Sequence, residues 1–289
     1  MFEYLIRRFL LAIVTIFGVT IVIFAAMRIL PGDPLAMIYG EDSGVYVLSE
    51  EELAAARASL GLDKPLYMQY LDWMIDVAKG DLGHSFWIDT PISETIIRRG
   101  PITAEIALFS IIIAWLVGIP IGIISALWRE SLLDNVLRFF VTLFMAIPSF
   151  WLGMAMILFP VIVFNWRPSI TIVHFWEDPV TNISMVAGPV IAIGIGIAAI
   201  IARMTRSTVL EVLGEDYVRT ARAKGLNERL TMYRHVLKNA MLPVITLSGL
   251  ALAGLLGGSV AVERAFGFPG LGMALALGAV ERDWMMVQN

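Results

Sequence analysis

Five long apolar runs divide the chain: Phe9–Leu30, Ile106–Trp128, Phe139–Phe164, Ile183–Ile201 and Leu242–Val262. A helix needs about 20 apolar residues to cross a bilayer core, so the pattern predicts five transmembrane helices. A sixth apolar stretch, Ala265–Val280, is shorter and is interrupted by Phe266-Gly267-Phe268-Pro269-Gly270. It predicts a re-entrant or interfacial hairpin. The polar segment after the first run carries helix signals of its own. Ser49 followed by Glu52 is a capping-box pattern, predicting a helix to about Leu60 that stops at Gly61. Pro65–Lys79, ahead of Gly80, predicts a second helix with Leu71, Trp73, Ile75 and Val77 as its apolar residues. Pro148 and Pro160 predict kinks in the third run. Gly188, Gly194 and Gly196 in the fourth run, and Gly254, Gly257 and Gly258 in the fifth, predict close helix packing.

Charge distribution turns these runs into a topology. Residues 31–100 carry five basic and twelve acidic side chains, whereas residues 203–238 carry eight basic and four acidic ones. Arg7 and Arg8 precede the first run, and Arg129 and Arg138 flank the turn between the second and third. The positive-inside rule then places the N-terminus and residues 203–238 in the cytoplasm, with residues 31–100 outside. The first run has no small-residue cleavage site after it and reads as a retained helix. The expected organisation is a first transmembrane helix (1–30), an extracytoplasmic insertion (31–100) and a core domain (101–289) whose cytoplasmic loop covers 203–241.

Composition agrees and excludes several function classes. Hydrophobic residues make up 58% of the 289 and charged residues only 16%; mean hydropathy is +0.79. The net charge of −4 comes with no basic patch interleaved with aromatics, so nucleic acid is not an expected partner. There is no cysteine, hence no thiol catalysis and no thiolate metal site. His84, His174 and His235 are scattered, and no H-E-x-x-H occurs. Gly257-Gly258-Ser259 is not a nucleophile elbow. No Walker A sequence is present, so the chain is not expected to be an ATPase, and it has no expected catalytic residue, cofactor or metal.

The cytoplasmic segment has the strongest local logic. Asp216–Lys224 reads as a short helix with Tyr217, Ala221 and Lys224 on one side and a Glu215–Arg219 pair at i,i+4. Gly225 stops it in the manner of a left-handed C-cap. Asn227 then caps a second helix whose stripe is Leu226, Leu230, Tyr233 and Leu237, and Pro243 marks the passage to the fifth run. A helix as short as the first cannot bury itself. Its Ala and Arg side chains suit a groove on another protein, or the segment is an ordinary solvated basic loop.

Residues 217–226 and 234–243, YVRTARAKGL and RHVLKNAMLP, resemble the coupling-loop signature of binding-protein-dependent ATP-binding-cassette importer permeases. The oligopeptide/dipeptide/nickel subfamily is the closest pattern. Where the general signature opens Glu-Ala-Ala, this chain has Arg219-Thr220-Ala221, and its Gly225-to-Pro243 spacing is longer; both are features of that subfamily. The resemblance extends along the chain through Pro31-Gly32-Asp33-Pro34, Leu60-Gly61-Leu62-Asp63-Lys64-Pro65, Gly80-Asp81-Leu82-Gly83-His84-Ser85, Ile147-Pro148-Ser149-Phe150-Trp151-Leu152-Gly153 and Phe268-Pro269-Gly270-Leu271-Gly272. These are similar to the first of the two permeases in such systems.

The resemblance implies an all-α, type I importer transmembrane fold with a sixth span after Asn289, which this sequence does not contain. It implies coupling to an ATPase through Glu215, Asp216, Tyr217, Arg219, Ala221, Arg222, Ala223, Lys224, Gly225 and Leu226. It implies four kinds of neighbour in a prokaryotic inner membrane: a second permease, two ATPase subunits that hold ATP and Mg, an extracytoplasmic solute-binding protein, and lipid. Peptides are the expected substrate, with nickel chelates and oligosaccharides as alternatives within the family. An ATP-independent secondary transporter or channel is the alternative outside it; such folds carry intramembrane charges, and few occur here. Met145, Pro148, Ser149, Trp151, Gly257 and Ser259 are the candidates for the substrate pathway, and Glu105 is expected to face the membrane interface.

Overall fold

Apolar runs of this length can satisfy their backbone groups in a bilayer only as helices, and helices are what they form. The computed structural model describes residues 2–29, 49–59, 61–86, 90–165 and 173–289. The Pro31-Gly32-Asp33-Pro34 motif, Leu60 and residues 166–172 lie outside the described residues. In chain order the helices are α1 (Phe2–Ile29), α2 (Glu50–Ser59), α3 (Leu66–Lys79), α4 (Ile92–Leu127), α5 (Leu132–Ala146), α6 (Ser149–Phe164), α7 (Pro179–Leu213) and α8 (Asp216–Ala223). They continue with α9 (Glu228–Leu256), α10 (Val260–Ala265), α11 (Leu271–Glu281) and α12 (Trp284–Gln288). No strand occurs among the described residues. Helices α1, α4, α7 and α9 are each long and apolar enough to cross a membrane, and α5 with α6 makes a fifth candidate span if the bent pair is counted as one.

The chain divides into two compact units, residues 1–98 with 274–289, and residues 99–273. In the first, the end of α1 is fixed by an aromatic cluster. The Phe24 ring lies 5.3 Å from Tyr70 and 6.1 Å from Trp73. Arg28, the single charge late in the first apolar run, is accounted for there. Its guanidinium sits 3.6 Å from the Phe24 ring centre and 4.9 Å from that of Trp284. It also donates to Gln69 Oε1 at 3.1 Å and Gln288 Oε1 at 3.2 Å. The expected capping box forms at α2: Glu52 N donates to Ser49 Oγ, and Ser49 N donates to Glu52 Oε2 at 2.8 Å.

The second unit is built around α7, whose apolar stretch is 61% buried against 6% for α1. Asp178 caps it, accepting from the Val180 and Thr181 amides, and Pro179 opens it at a position that needs no N–H. Three apolar clusters succeed one another along α7. Val186, Val190 and Ile193 pack with Ile102 and Ile106 of α4 and Val262 of α10. Ala198 and Ile201 pack with Ala114 of α4 and Val244 of α9. Val209 packs with Ala126 of α4, Val218 of α8, and Val236 and Ala240 of α9. A Cβ on Gly118 or Gly122 would stand 2.5 or 2.6 Å from the carbonyl oxygens of Ala198 or Ala202. These two glycines, rather than Gly196 or Gly254, therefore set the closest helix approach.

Two predicted spans differ in the structure. The third run is not one helix over Phe139–Phe164: α5 and α6 meet at 95°. The residue before a proline is pushed out of the helical region, and Ile147 is extended at φ −83°, ψ 122°, with Pro148 starting α6. The fifth run does not extend over Leu242–Val262. The helix begins at Glu228, passes through Pro243 and ends at Leu256. Gly258, at φ +92°, then turns the chain; a Cβ there would stand 2.4 Å from the Cα of Gly272.

Candidate functional site

The predicted helix–glycine–helix occupies residues 214–240, between the end of α7 and the first turns of α9. Arg203 and Arg206, counted with this loop in the sequence, belong to α7, which runs on to Leu213. Helix α8 ends in a Schellman motif. Leu226 N donates to Ala221 O at 3.3 Å, Gly225 N donates to Arg222 O at 2.9 Å, and Gly225 sits at φ +80°. Asn227 caps α9 by accepting from Arg229 N at 3.0 Å. Across the turn Arg222 reaches Glu228 with two hydrogen bonds, at 3.1 and 2.5 Å.

The faces of both helices differ from the sequence reading. On α8 the buried pair is Val218 with Ala221, and Tyr217 and Lys224 are exposed. The Tyr217 hydroxyl instead accepts from Asn239 Nδ2 at 2.8 Å. Arg219 pairs with Asp216 at 3.3 Å rather than with Glu215. On α9, Leu230 is exposed and Tyr233 is 77% exposed, while Thr231, Val236 and Ala240 are buried. Leu226 and Leu237, the two ends of the predicted stripe, are half-buried, and Leu237 packs against the Val236 cluster. A π-turn over Met232–Leu237 adds one residue to the repeat between the two ends.

Helix α8 thus has one anchored face and one free face. Val218 is fully buried in the cluster of Ala126, Val209, Val236 and Ala240, which ties it to α4, α7 and α9 together. Asp216, Tyr217, Arg219, Arg222, Ala223 and Lys224 are exposed around the rest. Leu226 is half-buried, and Glu215 and Gly225 are exposed.

A second feature that sequence reasoning missed stiffens the same end of the unit. Asp134, near the start of α5, is fully buried and accepts from Arg206 Nε and Nη2 at 3.0 and 2.8 Å. The Ser125 hydroxyl of α4 and Glu130 N also donate to it. Three helices therefore share one carboxylate. Both residues lie in charged stretches between the apolar runs, and nothing in spacing alone pairs residues 72 positions apart.

The six pathway candidates fall at two helix breaks. Met145 is in the last turn of α5, and Pro148, Ser149 and Trp151 start α6; Gly257 and Ser259 flank the break between α9 and α10. Helix α10 packs on α6, and the Phe266 ring covers Gly153 and Gly188. Pro148 and Trp151 are exposed. Ser259 lines a void of about 10 Å³ with Thr103 and Glu263, room for one water at most. Glu263 is buried and accepts from Met273 N at 2.6 Å, clamping the Phe268–Gly272 turn beside it. Glu105, at the edge of the second apolar run, is half-buried and accepts from Asn182 Nδ2 of α7 at 3.0 Å.

Two family profiles match the chain. That of the binding-protein-dependent transport system inner membrane component covers residues 118–288, and that of the N-terminal part of such components covers residues 1–107. The dipeptide transport system permease protein DppB of Escherichia coli is 37% identical over all of this chain and 91% of its own length. A putative peptide transport system permease protein of Brucella abortus is 37% identical over 99% of this chain and 89% of that protein. The glutathione transport system permease protein GsiC of Escherichia coli is 35% identical over all of this chain and 90% of that one. Among solved structures, the MetNI methionine ABC transporter in an inward-facing conformation superposes with a TM-score of 0.51 at 20% identity, over 68% of this chain and 88% of that chain. At that identity the likeness concerns the fold.

Proposed function

The chain belongs to the family of binding-protein-dependent transport system inner membrane components, and from that premise we propose that it is the permease subunit of an ATP-driven peptide importer. The relatives named for dipeptide, peptide and glutathione transport support peptides as the substrate class. The chain is a transport component and not itself a catalyst. A second, similar permease completes the pathway, two ATPase subunits bind and hydrolyse ATP, and an extracytoplasmic binding protein delivers the peptide. The N-terminus and residues 214–240 lie in the cytoplasm, as the Arg and Lys distribution favours.

The observation that carries this reading is the two-faced α8. Closure of the ATPases on ATP displaces a helix seated in a cleft of one of them. Because Val218 and Ala221 are buried against the ends of α4, α7 and α9, that displacement is passed to the membrane helices instead of being absorbed in a loop. ATP acts by binding two states of the assembly with different affinity, so the connection must be stiff. Deleting Asp216–Gly225, or replacing Gly225 by proline, abolishes ATP-driven peptide uptake by the reconstituted transporter while the chain still inserts in the membrane. Normal uptake by either variant refutes the proposal.

A further inference from the structure

We infer that a basic cleft between α4, α5 and α7 binds the phosphate headgroup of an anionic phospholipid. The cleft has a volume of about 380 Å³ and is lined by Arg138 of α5, Arg203 and Arg206 of α7, and the hydroxyls of Ser125, Thr142 and Ser207. Arg206 and Ser125 are committed to Asp134. Arg138 and Arg203 have no ion-pair partner among the described residues. The cleft therefore offers two uncompensated guanidinium groups with two spare hydroxyls, the donor set that phosphate oxygens accept from.

The remaining wall selects the source of the phosphate. Ile121, Val141 and Leu210 form its apolar side. A free anion gains nothing from such a wall, whereas a lipid lays its acyl chain along it. The cleft lies toward the α4–α5 turn, at the end of α7 that leads into α8. In the orientation proposed above this is the inner leaflet, where basic pockets between transmembrane helices take anionic headgroups. The inference rests on that orientation and not on peptide being the substrate.

The test uses the full transporter complex in phosphatidylcholine nanodiscs with increasing phosphatidylglycerol, and native mass spectrometry counts the lipid kept by this chain. Wild type is expected to retain phosphatidylglycerol over phosphatidylcholine. R138Q/R203Q is expected to weaken that preference about thirtyfold, the loss of two guanidinium contacts with an anionic lipid surface. Equal retention of the two lipids by wild type overturns the inference without any variant. Unchanged preference in R138Q/R203Q overturns it as well. Thermal stabilisation by inorganic phosphate alone, with none from phosphatidylglycerol, overturns the lipid source. A raised transport KM with lipid retention intact in R138Q/R203Q assigns the cleft to the substrate carboxylate and likewise overturns it.

Discussion

Val218→Ala isolates the anchoring of α8 from its contact with a partner. Val218 has 0% exposure and sits among Ala126, Val209, Val236 and Ala240. Helix α8 lies outside the candidate membrane spans, so undocking it exposes the valine to water and the full hydrophobic term applies. Two methyl groups at about 0.8 kcal/mol each amount to about 1.6 kcal/mol, more where the cavity left behind stays open. That lowers the ratio of docked to undocked α8 about fifteenfold. Hydrogen exchange of the Asp216–Lys224 amides in the purified complex reads this ratio directly, and an increase of about fifteenfold is expected. Peptide moved per ATP hydrolysed falls with it. Lys79→Ala is the control, because Lys79 is exposed and pairs with Asp76 on its own helix; it leaves exchange of α8 as it is. Exchange in Val218→Ala indistinguishable from wild type refutes the idea that this side chain fastens α8 to the membrane helices.

Three further outcomes follow from the same geometry. Gly122→Ala forces a Cβ to within 2.6 Å of the Ala202 carbonyl oxygen, so α4 and α7 must separate; overpacking of this kind costs about 1–3 kcal/mol, read as a lowered thermal midpoint, while Gly196→Ala, with open space around it, leaves the midpoint in place. Asp134→Ala strands Arg206 beside a buried site and costs about 3 kcal/mol, whereas Asp134→Leu with Arg206→Met recovers most of the midpoint. At the start of α7 the hydroxyl and backbone N–H of Thr181 hold the Asp178 carboxyl below the usual carboxylate range. A depressed pKa stabilises the cap above the unfolded-state value and is lost as pH falls through the folded one, so the protection of Val180 and Thr181 relative to their intrinsic exchange rates at each pH falls on acidification, and Asp178→Ala removes that fall.

What was legible in the sequence was what depends on neighbours along the chain. Apolar run length marked the spans, Gly225 and Asn227 marked the ends of α8 and α9, and Ser49 with Glu52 marked a capping box that forms. What failed depended on backbone detail or on distant partners. Of the stripe Leu226–Leu230–Tyr233–Leu237 the two ends are half-buried but Leu230 and Tyr233 face out, and the π-turn over Met232–Leu237 departs from the 3.6 residues per turn that the stripe assumed. Grouping Tyr217 with Ala221 and Lys224 on one side of α8 did not single out Val218 as the buried residue. On a helix of eight residues, a tyrosine and a valine one position apart are equally apolar by pattern, and only the cluster waiting at the ends of α4, α7 and α9 decides between them. The Asp134–Arg206 pair needed the packing of α5 on α7 to come together.

That pair also bears on how motion would leave α8. Helix α7 runs 35 residues without a break from Pro179 to Leu213, and its last turns hold Val209 against Val218. One turn earlier Arg206 holds Asp134, and so the α4–α5 turn. A displacement of α8 therefore meets two attachments on α7 of opposite chemistry within one helical turn. The apolar one tolerates small slides because dispersion is not directional. The bidentate one fixes angle as well as distance. Together they would carry a displacement of α8 to α7 and α5, and α6, beyond the 95° bend at Ile147–Pro148, packs on α7 as well.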